Sequence, residues 1–184
     1  MARVAVFCGS RDEVAPALLA EAEALGEDLA RAGHEVIYGG AKSGLMGRVA
    51  AGAQRFNGKV HGILPELDFA LMNEHETVDQ KTRVQNLAEG KALMLRLAEA
   101  AIVLPGGIGT LDELFEVLAL KQTGQWPKPL WLYDFLDFWQ PLHEALVLIE
   151  EQGMIGGRID DLISLVQDRK RLMQELARGV GRAV

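Results

Sequence analysis

Five times in this chain a short apolar run is followed by a longer stretch with apolar residues at helical spacing, and few folds accommodate that alternation. The short runs are Val4–Cys8, Glu35–Tyr38, Val60–Leu64, Ala101–Leu104 and Leu130–Tyr133. The longer ones cover about Pro16–Ala32, Leu45–Phe56, Thr82–Glu99, Leu111–Gln122 and Trp139–Glu151. Strands that alternate with helices predict a parallel sheet covered on both faces, a Rossmann-like doubly wound α/β fold. Leu162–Val166 reads as a last edge strand and Asp168–Arg178 as a terminal helix, whereas Glu66–Gln80 has no clear period and reads as a loop. At 184 residues, with no repeat, low-complexity tract or linker, the chain reads as a single domain over 1–184.

Charge and cysteine content remove several functions. The net charge is -7, with no cluster of Lys and Arg, so neither nucleic acid nor an anionic membrane is an expected partner. Backbone amides at a helix end bind a small anion regardless of net charge. A lone Cys8 excludes an intrachain disulfide, and no His pair has ligand-like spacing, so no metal is expected. The opening MARVAVFCGS reads as a buried strand, not a signal peptide. No apolar stretch approaches the ~20 residues a membrane span needs. The expected location is the cytoplasm.

Three loops at the carboxyl ends of the predicted strands carry glycine: Cys8-Gly9-Ser10, Gly39–Gly47 and Gly106–Gly109. In open parallel sheets ligands bind at that edge. Gly9 alone is compatible with an ordinary turn. Pro105-Gly106-Gly107-Ile108-Gly109-Thr110 asks for more, because three glycines in four residues sacrifice backbone entropy that a plain turn keeps. The loop leaves a buried strand and enters a strong helix, where free N–H groups and the helix dipole favour a phosphate. The dinucleotide fingerprint is missing after the first strand, and Lys42-Ser43 lacks the Walker context, so neither NAD nor a P-loop nucleotide is expected.

Thr110-Leu111-Asp112-Glu113 has the spacing of a capping box, which accounts for Thr110 and Glu113 as helix-end residues. A functional reading places the Glu113 carboxylate in the first turn of a phosphate-binding helix, ionised by the dipole. There it would stabilise an oxocarbenium-like transition state of N-glycosidic cleavage, or orient the attacking water.

Tyr38-Gly39-Gly40-Ala41-Lys42-Ser43-Gly44-Leu45-Met46-Gly47 and Pro105–Glu113 together resemble the two signatures of the Lonely guy family. Its members are nucleoside 5′-monophosphate phosphoribohydrolases, long labelled lysine decarboxylases. The resemblance implies a homodimer that cleaves adenine-type nucleoside monophosphates to free base and ribose 5-phosphate, without metal or organic cofactor. By carry-over, Gly106, Gly107, Gly109 and Thr110 would hold phosphate and Glu113 would be catalytic. Gly40 and Gly44 would shape the pocket near phosphate and ribose, with Gly9 and Ser10 beside base or ribose. The family pattern carries Arg-Lys in the preceding helix, where this chain has Gly90-Lys91. Lys91 is therefore the expected catalytic cation. Arg83, seven residues and two helical turns before Gly90, is expected on about the same face and within reach of the substrate. The alternative is a nucleotide- or phosphorylated-cofactor-binding protein that has lost catalysis at Gly90.

Overall fold

The computed structural model describes residues 1–180. At its centre lies Arg3–Phe7 (β1), apolar on both faces because helices cover both. The chain continues through Pro16–Arg31 (α1), Glu35–Tyr38 (β2), Gly44–Arg55 (α2), Val60–Pro65 (β3), Asp68–Met72 (α3), Gln80–Val84 (β4) and Leu87–Leu97 (α4). Ala100–Val103 (β5), Ile108–Gln122 (α5), Leu130–Tyr133 (β6), Gln140–Glu151 (α6), Ile159–Leu162 (α7), Ser164–Val166 (β7) and Arg169–Val180 (α8) complete it. The seven strands form one parallel sheet in the order β4-β3-β2-β1-β5-β6-β7. The doubly wound α/β expectation holds. None of the described helices is long and apolar enough to cross a membrane.

Alternation along each strand sends one set of side chains to each face. Val4, Val6, Val36 and Tyr38 pack under α1, α2 and α8, which bring Leu25, Leu29, Val49 and Leu172. Ala5, Phe7, Ile37, Val103 and Leu132 pack under α4–α7, with Met94, Leu95, Leu114, Val117, Leu146 and Ile159. From β1 the chain winds toward β2 and β3; from β5 it winds the other way, toward β6 and β7. The topological switch point therefore lies between β1 and β5, and the crevice it opens is where such sheets bind ligands.

Glu66–Gln80 is not one loop. It contains the short α3, and Gln80–Val84 is the edge strand β4, not the start of a helix. Its residues are mostly exposed and polar, so no apolar alternation marked it; Lys81 and Arg83 on an unpaired edge also discourage further strand addition. The following helix begins only at Leu87, where the Asn86 side chain caps it by accepting from the Glu89 N–H at 3.0 Å. The other boundary errors are small, except that Leu162 ends α7 and leaves only Ser164–Val166 for the edge strand.

Two glycines let α1 and α2 touch. A Cβ on Gly52 would stand 2.0 Å from the Glu23 carbonyl oxygen, and one on Gly26 would stand 2.1 Å from that of Val49. Both contacts are backbone, which cannot rotate away. Gly52→Ala therefore separates the helices despite its better helix propensity. We expect a loss of about 1–3 kcal/mol in urea denaturation; unchanged stability would show that the two helices slide freely.

Candidate functional site

The site is built where β1 and β5 end side by side. The Leu104 N–H donates to the Phe7 carbonyl at 2.9 Å and the Gly9 N–H to the Pro105 carbonyl at 3.0 Å, extending the sheet pairing into both loops. After Pro105 the chain turns through Gly106 and Gly107 into α5. Gly107 is the N-cap and Ile108 the first helical residue. Thr110 therefore lies inside the first turn and does not cap the helix, so the capping-box expectation is not met. Its buried side chain instead fills the space beside Gly106, where a Cβ would stand 2.1 Å from Thr110 Oγ1.

Gly107 and Gly109 differ from Gly106: a Cβ on either would meet nothing within 4 Å. Packing thus explains Gly106 but not the other two, which keep the approach to the helix end open. The N–H groups of Ile108, Gly109 and Thr110 belong to the first turn, which has no intrahelical acceptors. No described side chain accepts from them, and a cavity of about 720 Å³ lies in front. This volume suits a small organic ligand.

Gly9, Ser10, Lys91, Gly106, Gly107, Gly109, Thr110 and Glu113 all line that cavity. Gly40 and Gly44 do not. Gly40, at φ +77°, is packed on Leu64, and Gly44, at φ +61°, gives its N–H to Asp12 Oδ1 at 2.8 Å. Their left-handed conformations set Gly39, Ala41, Leu45 and Met46 on the wall instead. The α2 N-terminus thus already holds a protein carboxylate. Arg83 is also outside: it projects from β4 to Glu74 at 2.7 Å, not from a helix face, and the two-turn relation to Gly90 does not exist. Gly90 itself lines the cavity from α4, with a Cβ position 3.4 Å from the nearest atom, Val84 Cγ2.

Glu113 lies on the cavity floor and makes no hydrogen bond or ion pair with the described residues. Its neighbour Lys91 is already committed, 2.7 Å from Asp112 and 2.5 Å from Glu116. Asp112 does not line the cavity and is half exposed, but it reaches the site through Lys91. Burial alone would lower the Lys91 pKa, but the bonds from Asp112 and Glu116 outweigh it and hold the ammonium above its usual value. Burial pushes Glu113 up to about 8; Asp112 and Glu116 push in the same direction, and Lys91 opposes them. The expected ionised carboxylate is therefore a protonated acid at neutral pH. Its position explains the reversal, because Glu113 is in the second turn of α5 and the dipole effect fades beyond the first.

Several lining residues were not among the expected site residues: Cys8, Val14 and Leu18 from the β1 side, Asn73 after α3, and Phe138 after β6. Arg11, directly after Ser10, is another. Cys8 is fully buried, and burial, with Glu113 adding to it, raises its thiol pKa well above the ordinary value. Among the described residues no three His, Cys, Asp or Glu side chains converge as a metal site needs.

A family model described as "possible lysine decarboxylase" matches residues 46–176. A probable cytokinin riboside 5′-monophosphate phosphoribohydrolase of Oryza sativa subsp. japonica is 34% identical over 174 residues, covering 95% of this chain and 71% of the relative. The chain belongs to the Lonely guy family. A member from Rhodococcoides fascians, named cytokinin riboside 5′-monophosphate phosphoribohydrolase, is 37% identical over 153 residues, 83% of this chain and 77% of its own. The fold of this Lonely guy chain also resembles a molybdenum cofactor binding protein from Rippkaea orientalis, with TM-score 0.72 and 20% identity, covering 96% of each chain.

The Glu113 environment makes a stability prediction. The folded protein keeps the Glu113 proton up to about pH 8, whereas the unfolded chain releases it near its ordinary value of 4.5. The folded state thus binds more protons between those values, and stability falls as pH rises through that window. Glu113→Gln removes the penalty. In urea melts the variant should match the native protein near pH 4.5 and exceed it by about 1–3 kcal/mol at pH 8; an equal difference at both pH values would remove the buried carboxyl as its source.

Proposed function

We propose that this chain hydrolyses the N-glycosidic bond of adenine-type nucleoside 5′-monophosphates, AMP or cytokinin riboside monophosphates, releasing free base and ribose 5-phosphate. The reading is carried by one juxtaposition. Free N–H groups at the α5 N-terminus face a cavity whose floor holds an unpaired carboxyl group in the second turn of the same helix. The relatives named as phosphoribohydrolases for cytokinin riboside 5′-monophosphates supply the substrate class.

In this mechanism the phosphate binds at Gly106–Thr110, and the ribose and base extend across the Gly9–Ser10 turn. Protonated Glu113 donates to a ring nitrogen of the purine as the C1′–N bond breaks, so the base departs neutral. The resulting carboxylate stabilises the oxocarbenium ion left on the sugar. Water adds its oxygen to C1′ and returns a proton to Glu113, which restores the acid. Lys91 keeps Asp112 and Glu116 paired, so that Glu113 is the carboxyl group free to cycle.

Purified protein incubated with AMP should release adenine, detected by chromatography. Glu113→Ala and Glu113→Gln should lower turnover by about 10²–10⁴-fold, the usual contribution of general acid–base catalysis. Because the acid form reacts, activity should be flat below pH 8 and fall above it. A Glu113→Gln variant with native turnover would end this mechanism.

Gly90 supports a second reading, a binding protein without turnover, since α4 offers no guanidinium to the cavity at that position. In that case AMP at tenfold excess over Kd stabilises the fold by roughly 1.4 kcal/mol without base release, and Gly90→Arg gains hydrolysis.

We also propose a homodimer. Phe115, Leu148, Ile149 and Met154 leave apolar side chains exposed on and beside α5 and α6, as a covered face would. Light scattering should give twice the 20.1 kDa chain mass, and a mass of one chain at micromolar concentration would reject the dimer.

A further inference from the structure

The charges lining the cavity are few, and they are not equally available. Lys91 is bound to two carboxylates and Glu113 is protonated at neutral pH. The remaining lining residue with a permanent charge is Arg11. Its side chain is exposed, and among the described residues no carboxylate or carbonyl engages its guanidinium. Arg3, Arg48, Arg55, Arg83, Arg158, Arg169 and Arg171 each have an acidic partner. Arg11 shares the lack of one with Arg31, Arg96 and Arg178 among the described residues, but of these four only Arg11 lines the cavity.

The backbone that carries Arg11 is held firmly. Ser43 Oγ donates to the Ser10 carbonyl at 2.5 Å, and Asn73 Nδ2 donates to Ser43 Oγ at 2.7 Å. On the other side of Arg11, Asp12 Oδ1 accepts from the Gly44 N–H at 2.8 Å. Gly44 sits so close that a Cβ there would stand 2.6 Å from the Arg11 nitrogen. A fixed backbone removes the cost of ordering the loop on binding an anion, so that only the Arg11 side chain has to be ordered.

Topology decides which anion. Arg11 belongs to the β1 side of the switch-point crevice, and the free N–H groups of Ile108, Gly109 and Thr110 belong to the β5 side. The Gly9–Pro105 hydrogen bond joins the two sides at the crevice base. An anion seated on the helix end has neutral donors on one side and needs a cation from the other. We propose that Arg11 closes over the 5′-phosphate of the bound nucleotide, pairing with the phosphate oxygens that the α5 amides leave free. The inference rests on the nucleotide reading above. It assigns to the β1–α1 turn a charge that α4, with Gly90, does not supply; a planar guanidinium suits paired phosphate oxygens better than an ammonium does.

The test compares ligands with and without the phosphate. Kd values for AMP, ribose 5-phosphate and adenosine are measured by calorimetry on the full chain, for the native protein and for Arg11→Ala and Arg11→Lys. Arg11→Ala should weaken AMP and ribose 5-phosphate about ten- to hundredfold, the range of a hydrogen bond to a charged group, and leave adenosine unchanged. Arg11→Lys should fall between. Turnover of AMP by Arg11→Ala should show a raised KM with kcat little altered, since the phosphate contact is the same before and during bond cleavage. Thermal stability of the free variants should equal that of the native protein. Native AMP affinity in Arg11→Ala, or an equal loss for adenosine, overturns the assignment while leaving the nucleotide reading intact. A native protein that binds neither AMP nor ribose 5-phosphate overturns both.

Discussion

The pairing of β1 with β5 is the interaction on which the site depends. It is an ordinary parallel ladder along Val4–Phe7 and Ala100–Val103, but it continues past both strands through Leu104 to Phe7 and Gly9 to Pro105. These two bonds hold adjacent loops that would otherwise diverge, because the chain leaves β1 toward one edge of the sheet and β5 toward the other. The crevice between them follows from the winding of the fold. Its width is set by glycine: Gly106 lets Thr110 pack inward, and Gly107 and Gly109 place nothing before the amides.

Within that crevice the governing conflict is electrostatic. Three carboxyl groups from one helix, Asp112, Glu113 and Glu116, stand near one ammonium from another, and Lys91 pairs with two of them. The third has no ion-pair partner among the described residues and is largely taken out of water by the protein around it. Holding it as an anion would cost more than holding it as an acid, so it keeps its proton. The arrangement opposes stability near neutral pH and suits acid catalysis at the same time. Asp112 and Glu116 act on the reaction without touching a ligand in this view, by keeping Lys91 from neutralising Glu113.

The fold was legible because its signal is coarse: apolar runs of four or five residues separated by helical periods specify a parallel sheet almost without regard to detail. Failures fell where polar composition hid an element. Gln80–Val84 pairs with β3 on one side only and faces solvent elsewhere, so it carries no apolar alternation. That single omission also misplaced Arg83, since a residue assigned to a helix face in fact points from an edge strand toward Glu74. The phosphate loop was legible in its glycines, but the start of its helix was not. Thr110 resembled a cap by spacing, whereas Gly107 caps and Thr110 is buried. The protonation of Glu113 was beyond reach, because it depends first on a burial that only the folded packing creates, and then on Asp112 and Glu116 beside it.

The net charge of -7 gains its meaning only from this local geometry. Acidic residues spread over the surface oppose an approaching phosphate, but at physiological ionic strength their influence fades within about 8 Å. What an anion meets inside the crevice is different: neutral amides, a glutamic acid that carries no charge, a lysine already paired, and one free guanidinium. Net charge is thus a guide to the partners that touch the whole surface and a poor one for a ligand that touches a single crevice. A protein acidic overall can bind an acidic molecule when the few groups that face it have been neutralised or left unpaired by their neighbours, as Lys91, Glu113 and Arg11 are here.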